Sequence, residues 1–273
     1  MAEYGIKLDG FALSRFPESR IKELSSQYDW VYAGEEFCER LFVPAEVCKN
    51  IVFFQKAGMK VCALTPIFSD RGTESFYEFL GLLAKGIKDG AIDPARLEIT
   101  ANDFSAVNIL SKSGMRTRLN LGRQLINNAF SVYSEDLCET SDECLDFFFR
   151  RGIERFEMSL EKNRTELVFS HGSPDEIRKR LRLTLFYPYM PVALSPVCLT
   201  GAREVGGRES PAFVKCSRSC AYAYYNFMHP WVKEPLTVKG NAVFVRRAGE
   251  DPSGSVFLKK EPSADRLIFC PYP

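Results

Sequence analysis

Trp30-Val31-Tyr32-Ala33-Gly34 is followed by Pro44-Ala45-Glu46-Val47-Cys48-Lys49-Asn50-Ile51-Val52-Phe53-Phe54 and, past Gly58, by Lys60-Val61-Cys62-Ala63-Leu64-Thr65. The first run is β-rich and stops at a glycine. Pro44 suits the first turn of a helix, Val47, Ile51 and Phe54 recur at helical spacing, and Gly58 supplies a C-terminal stop. The last run is again β-rich. Strand, helix and returning strand make a βαβ unit, whose two strands lie parallel and are joined by a right-handed crossover.

The same alternation extends outward on both sides. Upstream, an apolar run at Ile6–Leu8 precedes a helix from about Pro17 with Ile21 and Leu24 on one face. Downstream come a helix carrying Phe76, Phe79, Leu80 and Leu83, a strand at Arg96–Ala101, and a short helix opened by Asp103 and stopped at Gly114. The strand Thr117–Leu121, the helix Asp142–Arg151, and the strands Ile153–Met158 and Glu166–Phe169 follow. Ser173-Pro174-Asp175-Glu176 is a capping box that starts a helix running to about Leu181, and Leu183–Tyr187 is a further strand. This pattern predicts an α/β fold, a compact and irregular TIM-like (β/α) barrel built from residues 1–190. A doubly wound open sheet is the alternative with the same local signals. Residues 191–232 form a cysteine-bearing loop region. Residues 233–273 read as a small C-terminal β element, with strands at Leu236–Val238, Ala242–Val245, Val256–Leu258 and Leu267–Phe269 and a hairpin turn at Gly240-Asn241. No linker divides the chain, so 1–273 reads as one domain.

Composition narrows the function classes. The chain has 273 residues, with 36 basic and 35 acidic side chains and a net charge of +1, which disfavours bulk nucleic-acid binding. No apolar run reaches the roughly 18 residues of a membrane helix, and the first residues have no basic leader, so a soluble cytoplasmic protein without a membrane span is expected. Nine cysteines, an odd number, do not suit a disulfide framework in such a compartment. Packed thiols and a metal site are the readings that remain, and position has to separate them.

Cys198, Cys216 and Cys220 are spaced C-x17-C-x3-C in the region that abandons the regular alternation. Loop backbone lets thiolates converge, and Arg203, Lys215 and Arg218 lie close enough in sequence to offset their charge. The plain alternative is three thiols in a loop. For a fourth ligand, Cys48, Cys62 and Cys144 sit within regular elements and read as packing. Cys138 and Cys270 lie in less regular surroundings. Cys38 follows the strand that ends at Gly34, at the sheet edge where α/β folds build sites, and has the best position.

These residues resemble a known family. Tyr32-Ala33-Gly34-Glu35-Glu36-Phe37-Cys38 is similar to the Y-x-G-E-x-x-C segment, and Pro191-Val192-Ala193-Leu194-Ser195-Pro196-Val197-Cys198-Leu199-Thr200 to the P-x-A-x-S-x-x-C-[FL]-T segment, of the collagenase-like peptidase family. Asn102-Asp103 resembles its N-D step and Val238-Lys239-Gly240-Asn241 its closing hairpin. The likeness is greatest to the short iron-sulfur UbiU/UbiV branch, although the stretch between Cys198 and Cys216 is longer here and Val197 stands where arginine is usual. The resemblance implies a [4Fe-4S] cluster on Cys38, Cys198, Cys216 and Cys220. It further implies oxygen-independent hydroxylation of a small molecule such as a ubiquinone precursor, carried out with a UbiU-like partner subunit. The alternatives are a non-catalytic partner or scaffold with a structural four-cysteine iron-sulfur or zinc site, a peptidase, and an RNA-hydroxylating enzyme.

Other chemistry-bearing residues have plainer readings. The two histidines, His171 and His229, occur in no His-Glu-x-x-His pattern and read as loop or packed residues. Asn102 and Asp103 suit a helix N-cap, with a substrate contact as the alternative. Arg178, Lys179, Arg180 and Arg182 suit a solvated face better than an RNA contact. Tyr222, Tyr224, Tyr225, Phe227 and Trp231 suit core packing or a cover over the cysteines or a partner surface.

Overall fold

The computed structural model of the chain describes residues 2–8, 16–130, 142–160, 179–195, 197–204, 216–246 and 264–273. The strand expected at 166–169, the capping box at 173–176 and the strand expected at 256–258 lie outside the described residues, as do Cys138, His171, Arg178 and Lys215.

Eight parallel strands close into a barrel. In chain order they are β1 (Glu3–Leu8), β2 (Trp30–Gly34), β3 (Lys60–Leu64), β4 (Leu97–Ala101), β5 (Arg118–Leu121), β6 (Ile153–Ser159), β7 (Arg182–Tyr187) and β12 (Ala264–Phe269). Around the barrel they run β1-β12-β7-β6-β5-β4-β3-β2. Between them lie the helices α1 (Glu18–Gln27), α2 (Pro44–Lys56), α3 (Gly72–Lys88), α4 (Phe104–Lys112), α5 (Arg123–Phe130) and α6 (Asp142–Phe149). The fold is an α/β TIM-like barrel, and closure excludes the open sheet. Alternate strand residues such as Val31, Val61, Ile99 and Leu185 turn outward, where they meet Ile51, Phe54, Phe79 and Leu83 of α2 and α3 in one apolar core.

A four-stranded antiparallel sheet, ordered β8-β11-β10-β9, accompanies the barrel. Its strands are β8 (Tyr189–Leu194), β9 (Tyr225–Phe227), β10 (Leu236–Lys239) and β11 (Ala242–Arg246). The hairpin turn at Gly240-Asn241 is present, with Lys239 opposite Ala242 and Gly240 at a φ of 65°. β8 is an edge strand, which accommodates the missing N–H of Pro191. A second apolar cluster joins Trp30, Tyr32, Phe186 and Ile268 of the barrel to Phe37, Ala242 and Phe244, so the small sheet covers the C-terminal mouth of the barrel.

Three elements differ from expectation. Leu267–Phe269 belongs to β12, the eighth barrel strand between β1 and β7, and not to the small antiparallel element. A short apolar run carries no signal for the direction of its partner, so its sheet could not be read from its residues. The barrel is thus assembled from seven strands before residue 190 and one near the C-terminus. Helix α5 occupies a stretch expected to be loose, because a helix of 8 residues with two adjacent asparagines is too short to carry clear start and stop signals. Residues 191–194, expected at the start of the loop region, belong to β8 (Tyr189–Leu194).

Candidate functional site

The loop after β2 begins at Gly34, which has a φ of +126° and stands so near β3 that a Cβ would lie 2.5 Å from the Leu64 carbonyl oxygen. Only glycine fits there. The Glu35 carboxylate then accepts the backbone N–H groups of Glu36 at 3.0 Å and Phe37 at 2.9 Å, folding the loop back on itself. Successive residues consequently point to different places. Glu36 enters the barrel and meets Arg123, Phe37 packs edge-on against Phe244 at 4.9 Å, and Cys38 turns to the rim under the small sheet.

At that rim three of the cysteines singled out above, Cys38, Cys198 and Cys220, lie against the Lys239-Gly240-Asn241 turn. Cys38 lines a small cleft with Glu35, Phe37, Leu41, Lys239 and Gly240. Cys198 sits at the start of the helix α7 (Leu199–Glu204), where its sulfur accepts the Gly201 N–H at 3.2 Å and lies 3.9 Å from the Gly240 carbonyl oxygen. A Cβ on Gly240 would be 3.6 Å from the Cys220 sulfur, so the absent side chain leaves space beside that thiol. Cys216 is near enough to Cys38 and Cys220 to raise the pKa of both. Thr200 ties α7 to the turn in both directions, its N–H donating to the Gly240 carbonyl and its hydroxyl accepting the Gly240 N–H, each at 3.0 Å.

The electrostatics of this corner work against free thiolates. Burial, then the charges of Glu35 and Cys216, push the Cys38 thiol up to about 11. Burial, then Cys38, Cys198, Glu35 and Cys216, push Cys220 up to about 12. Several soft donors whose mutual repulsion disfavours ionisation form a donor set that a bound cation would stabilise. Among the described residues, no three His, Cys, Asp or Glu side chains stand close enough together to hold a single metal ion as they are.

The other cysteines divide differently. Cys48 lies on α2, half-buried against the outer core. Cys62 faces the barrel interior, 3.1 Å from the Thr100 hydroxyl. Cys270 is buried directly after β12. The side chain of Cys144 lies outside the described part of α6.

The barrel interior holds a polar network that sequence reading missed. At its lower end Arg266 donates to both Glu98 oxygens at 2.6 and 3.2 Å, to Glu3 and to the Tyr32 hydroxyl, and it stacks on Trp30 at 3.7 Å. Arg155 pairs with Asp265 at 2.6 Å. In the middle, Glu157 accepts from Thr100 and Asn120. At the top, Arg123 holds Glu36, with Lys7 3.5 Å from the same carboxylate. The available signal was a polar residue at alternate positions of apolar strands, as in Leu97-Glu98-Ile99-Thr100-Ala101 and Phe156-Glu157-Met158.

The remaining candidates fall into place as follows. Asp103 is the N-cap of α4, accepting the Ala106 N–H at 2.6 Å. Asn102 is not a cap; it is buried, donates to the Thr65 carbonyl and accepts the Gln124 N–H, which fixes the ends of three neighbouring strands. Lys179, Arg180 and Arg182 are exposed, with Arg180 on Glu154 and Arg182 3.7 Å from Asp265, as a solvated face requires. His229 is a loop residue whose Nδ1 accepts the Trp231 N–H. The aromatic group is not core: Tyr222 is 80% and Trp231 90% exposed. No described helix is long and apolar enough to cross a membrane.

No family model and no curated protein matches the chain. Solved structures do align with it. One is a U32 peptidase. That protein, Mk0906, of the collagenase-like family, shares 12% identity over 100% of this chain and 94% of its own, with a TM-score of 0.44. A glycoside hydrolase family 18 N-acetylglucosaminidase from Paenibacillus barengoltzii shares 9% identity over 98% of this chain and 94% of its own, with a TM-score of 0.35. The multi-modular chitinase ChiW from Paenibacillus sp. str. FPU-7 shares 9% identity over 98% of this chain and 40% of its own, with a TM-score of 0.38.

Proposed function

We propose that this chain is a cytoplasmic iron-sulfur protein of the UbiU/UbiV-like branch of the collagenase-like peptidase family. In this reading Cys38, Cys198, Cys216 and Cys220 hold a [4Fe-4S] cluster, and the chain is a subunit in the oxygen-independent hydroxylation of a small molecule such as a ubiquinone precursor, working with a UbiU-like partner. The observation that carries the reading is the approach of Cys38, Cys198 and Cys220 to the Gly240 turn, with Cys216 beside Cys38 and Cys220, so that thiols from three chain segments meet at the C-terminal mouth of a parallel barrel.

The donor set is all sulfur, which suits an iron-sulfur cluster, and a cluster of this kind supplies one-electron transfer when bound. The chain's own residues do the rest. The Gly201 N–H points at the Cys198 sulfur, as a donor that stabilises a thiolate does. Phe37 and Phe244 exclude water between the thiols and the barrel interior. Thr200 holds the turn that spaces the ligands.

Four thiolates also suit structural zinc, which makes a non-catalytic scaffold the second reading. Purification of the full chain without oxygen, followed by assay of iron, acid-labile sulfide and zinc, separates the two. A brown protein with iron and sulfide in equal amounts supports the cluster. A colourless protein containing zinc alone overturns it in favour of the scaffold.

A further inference from the structure

We propose that Glu157 is the binding acid of a small-molecule site inside the upper half of the barrel, donating a hydrogen bond from Oε2 to the carbonyl oxygen of a small organic ligand. The inference stands apart from the thiol site and from the cofactor it would hold. It begins with an asymmetry within one carboxyl group. Thr100 Oγ1 at 2.8 Å, Asn120 Nδ2 at 3.2 Å and Cys62 Sγ at 4.0 Å, from three different strands, all direct their donors to Glu157 Oε1. Oε2 meets no hydrogen-bond partner, although the side chain is completely buried.

Packing gives no reason for that arrangement. A buried polar atom without a partner costs about 1–3 kcal/mol, and an apolar residue at this position would remove the cost. Charges in the lower network, by contrast, are matched, Arg266 with Glu98 and Arg155 with Asp265. The carboxyl is also held neutral. Burial, the largest influence, and the nearby Glu36 raise its pKa to about 8 against the opposing effects of Thr100, Arg266 and Arg123. Ionisable and polar groups face it from every side: Cys62 on β3, Glu98 and Thr100 on β4, Asn120 on β5, Tyr32 and Glu36 from β2 and its loop, Arg123 at the start of α5, and Arg266 on β12.

With Oε1 occupied by donors, the acid proton belongs on Oε2, directed away from them. A carboxylic acid kept neutral in a dry site is a strong single donor and suits an oxygen that only accepts. Carbonyl oxygen has that property. Glu157 lies two residues before the C-terminal end of β6, and Arg123 reaches Ser159 and Glu36, so the site lies towards the barrel end where (β/α) barrels place their chemistry.

The test uses acetophenone labelled with carbon-13 at the carbonyl, with the full chain, observed by NMR. Wild-type protein is expected to bind it at neutral pH with a downfield carbonyl shift. Affinity should fall roughly tenfold between about pH 7 and pH 9 as the acid loses its proton. Glu157→Gln keeps a donor and should bind without that pH dependence, whereas Glu157→Leu should lose binding. Absence of binding to the wild type at neutral pH overturns the proposal, leaving Oε2 to a buried water. So does an unchanged pH dependence in Glu157→Gln, a comparison that needs no result from the leucine variant.

Discussion

Arg123 closes a two-point ion pair on Glu36, Nε to one oxygen at 2.8 Å and Nη2 to the other at 2.6 Å, and both side chains are sealed from solvent. The guanidinium also stacks on Phe186 at 4.2 Å and donates to Ser159 and the Tyr189 carbonyl, so one residue ties the β2 loop, β6 and the small sheet together. Removing one member of a buried pair strands the other charge. Arg123→Met is therefore expected to lower unfolding free energy by about 3–5 kcal/mol in urea titrations. Combined with Glu36→Gln, the loss should fall short of the sum of the single losses by roughly 2 kcal/mol. Strict additivity would show that the two residues act separately.

Gly34 sets the direction of the same loop. A Cβ there collides with the Leu64 carbonyl and forces an L side chain into a φ of +126°. Gly34→Ala should cost about 3 kcal/mol or more and lower the yield of folded protein. Gly58→Ala provides the comparison, since its φ of +88° is also strained but nothing lies within 4 Å of the added carbon. A smaller loss at Gly58, measured under the same conditions, is expected, and equal losses would remove the role assigned to the close approach.

Legibility in the sequence followed the kind of signal. The βαβ unit from Trp30 to Thr65 was readable because proline, glycine and helical spacing all mark its boundaries locally, and β2, α2 and β3 occupy those residues. The hairpin at Gly240 was readable for the same reason. Closure by β12 was not, because the choice between the edge of β1 and the small sheet depends on pairing over more than 200 residues, as in the register of Glu3 with Arg266. Cys198 and Cys38 stand out in the sequence as candidate ligands through position and resemblance, whereas Glu157 looks like one polar residue in an apolar strand. Its environment consists of Thr100, Asn120 and Cys62 from three other strands, and no local spacing encodes that meeting.

Cysteine substitutions should separate two populations. In oxygen-free preparations, Cys38→Ser and Cys198→Ser are expected to lose most of the bound metal, measured against protein concentration. Cys48→Ser should keep it, because that residue packs on the outside of the barrel. Cys62→Ser should also keep it and stay within about 1 kcal/mol of wild-type stability, since a hydroxyl can replace the thiol beside Thr100 and Asn120. Metal loss on replacing Cys48 or Cys62, with retention in Cys38→Ser, would overturn the ligand assignment.

The dependence of stability on pH should carry two opposite contributions. Glu157 has its folded pKa raised from 4.5 to about 8, so between those values the native state binds more protons than the unfolded chain. Its contribution is complete below the unfolded pKa and declines as pH rises through about 8, by roughly 5 kcal/mol in all. Glu3 is displaced the other way, to about 2; burial opposes the shift, while Lys60 and Arg266 more than offset it. Its contribution is present above the unfolded pKa of 4.5 and is lost as pH falls to about 2. Urea midpoints across the range should therefore rise from strong acid, pass a maximum near the unfolded carboxylate pKa, and decline towards about pH 8. Glu157→Gln should flatten the declining limb and leave the acid limb in place. A declining limb of unchanged slope in that variant would assign it to another group and remove the neutral-acid description of Glu157.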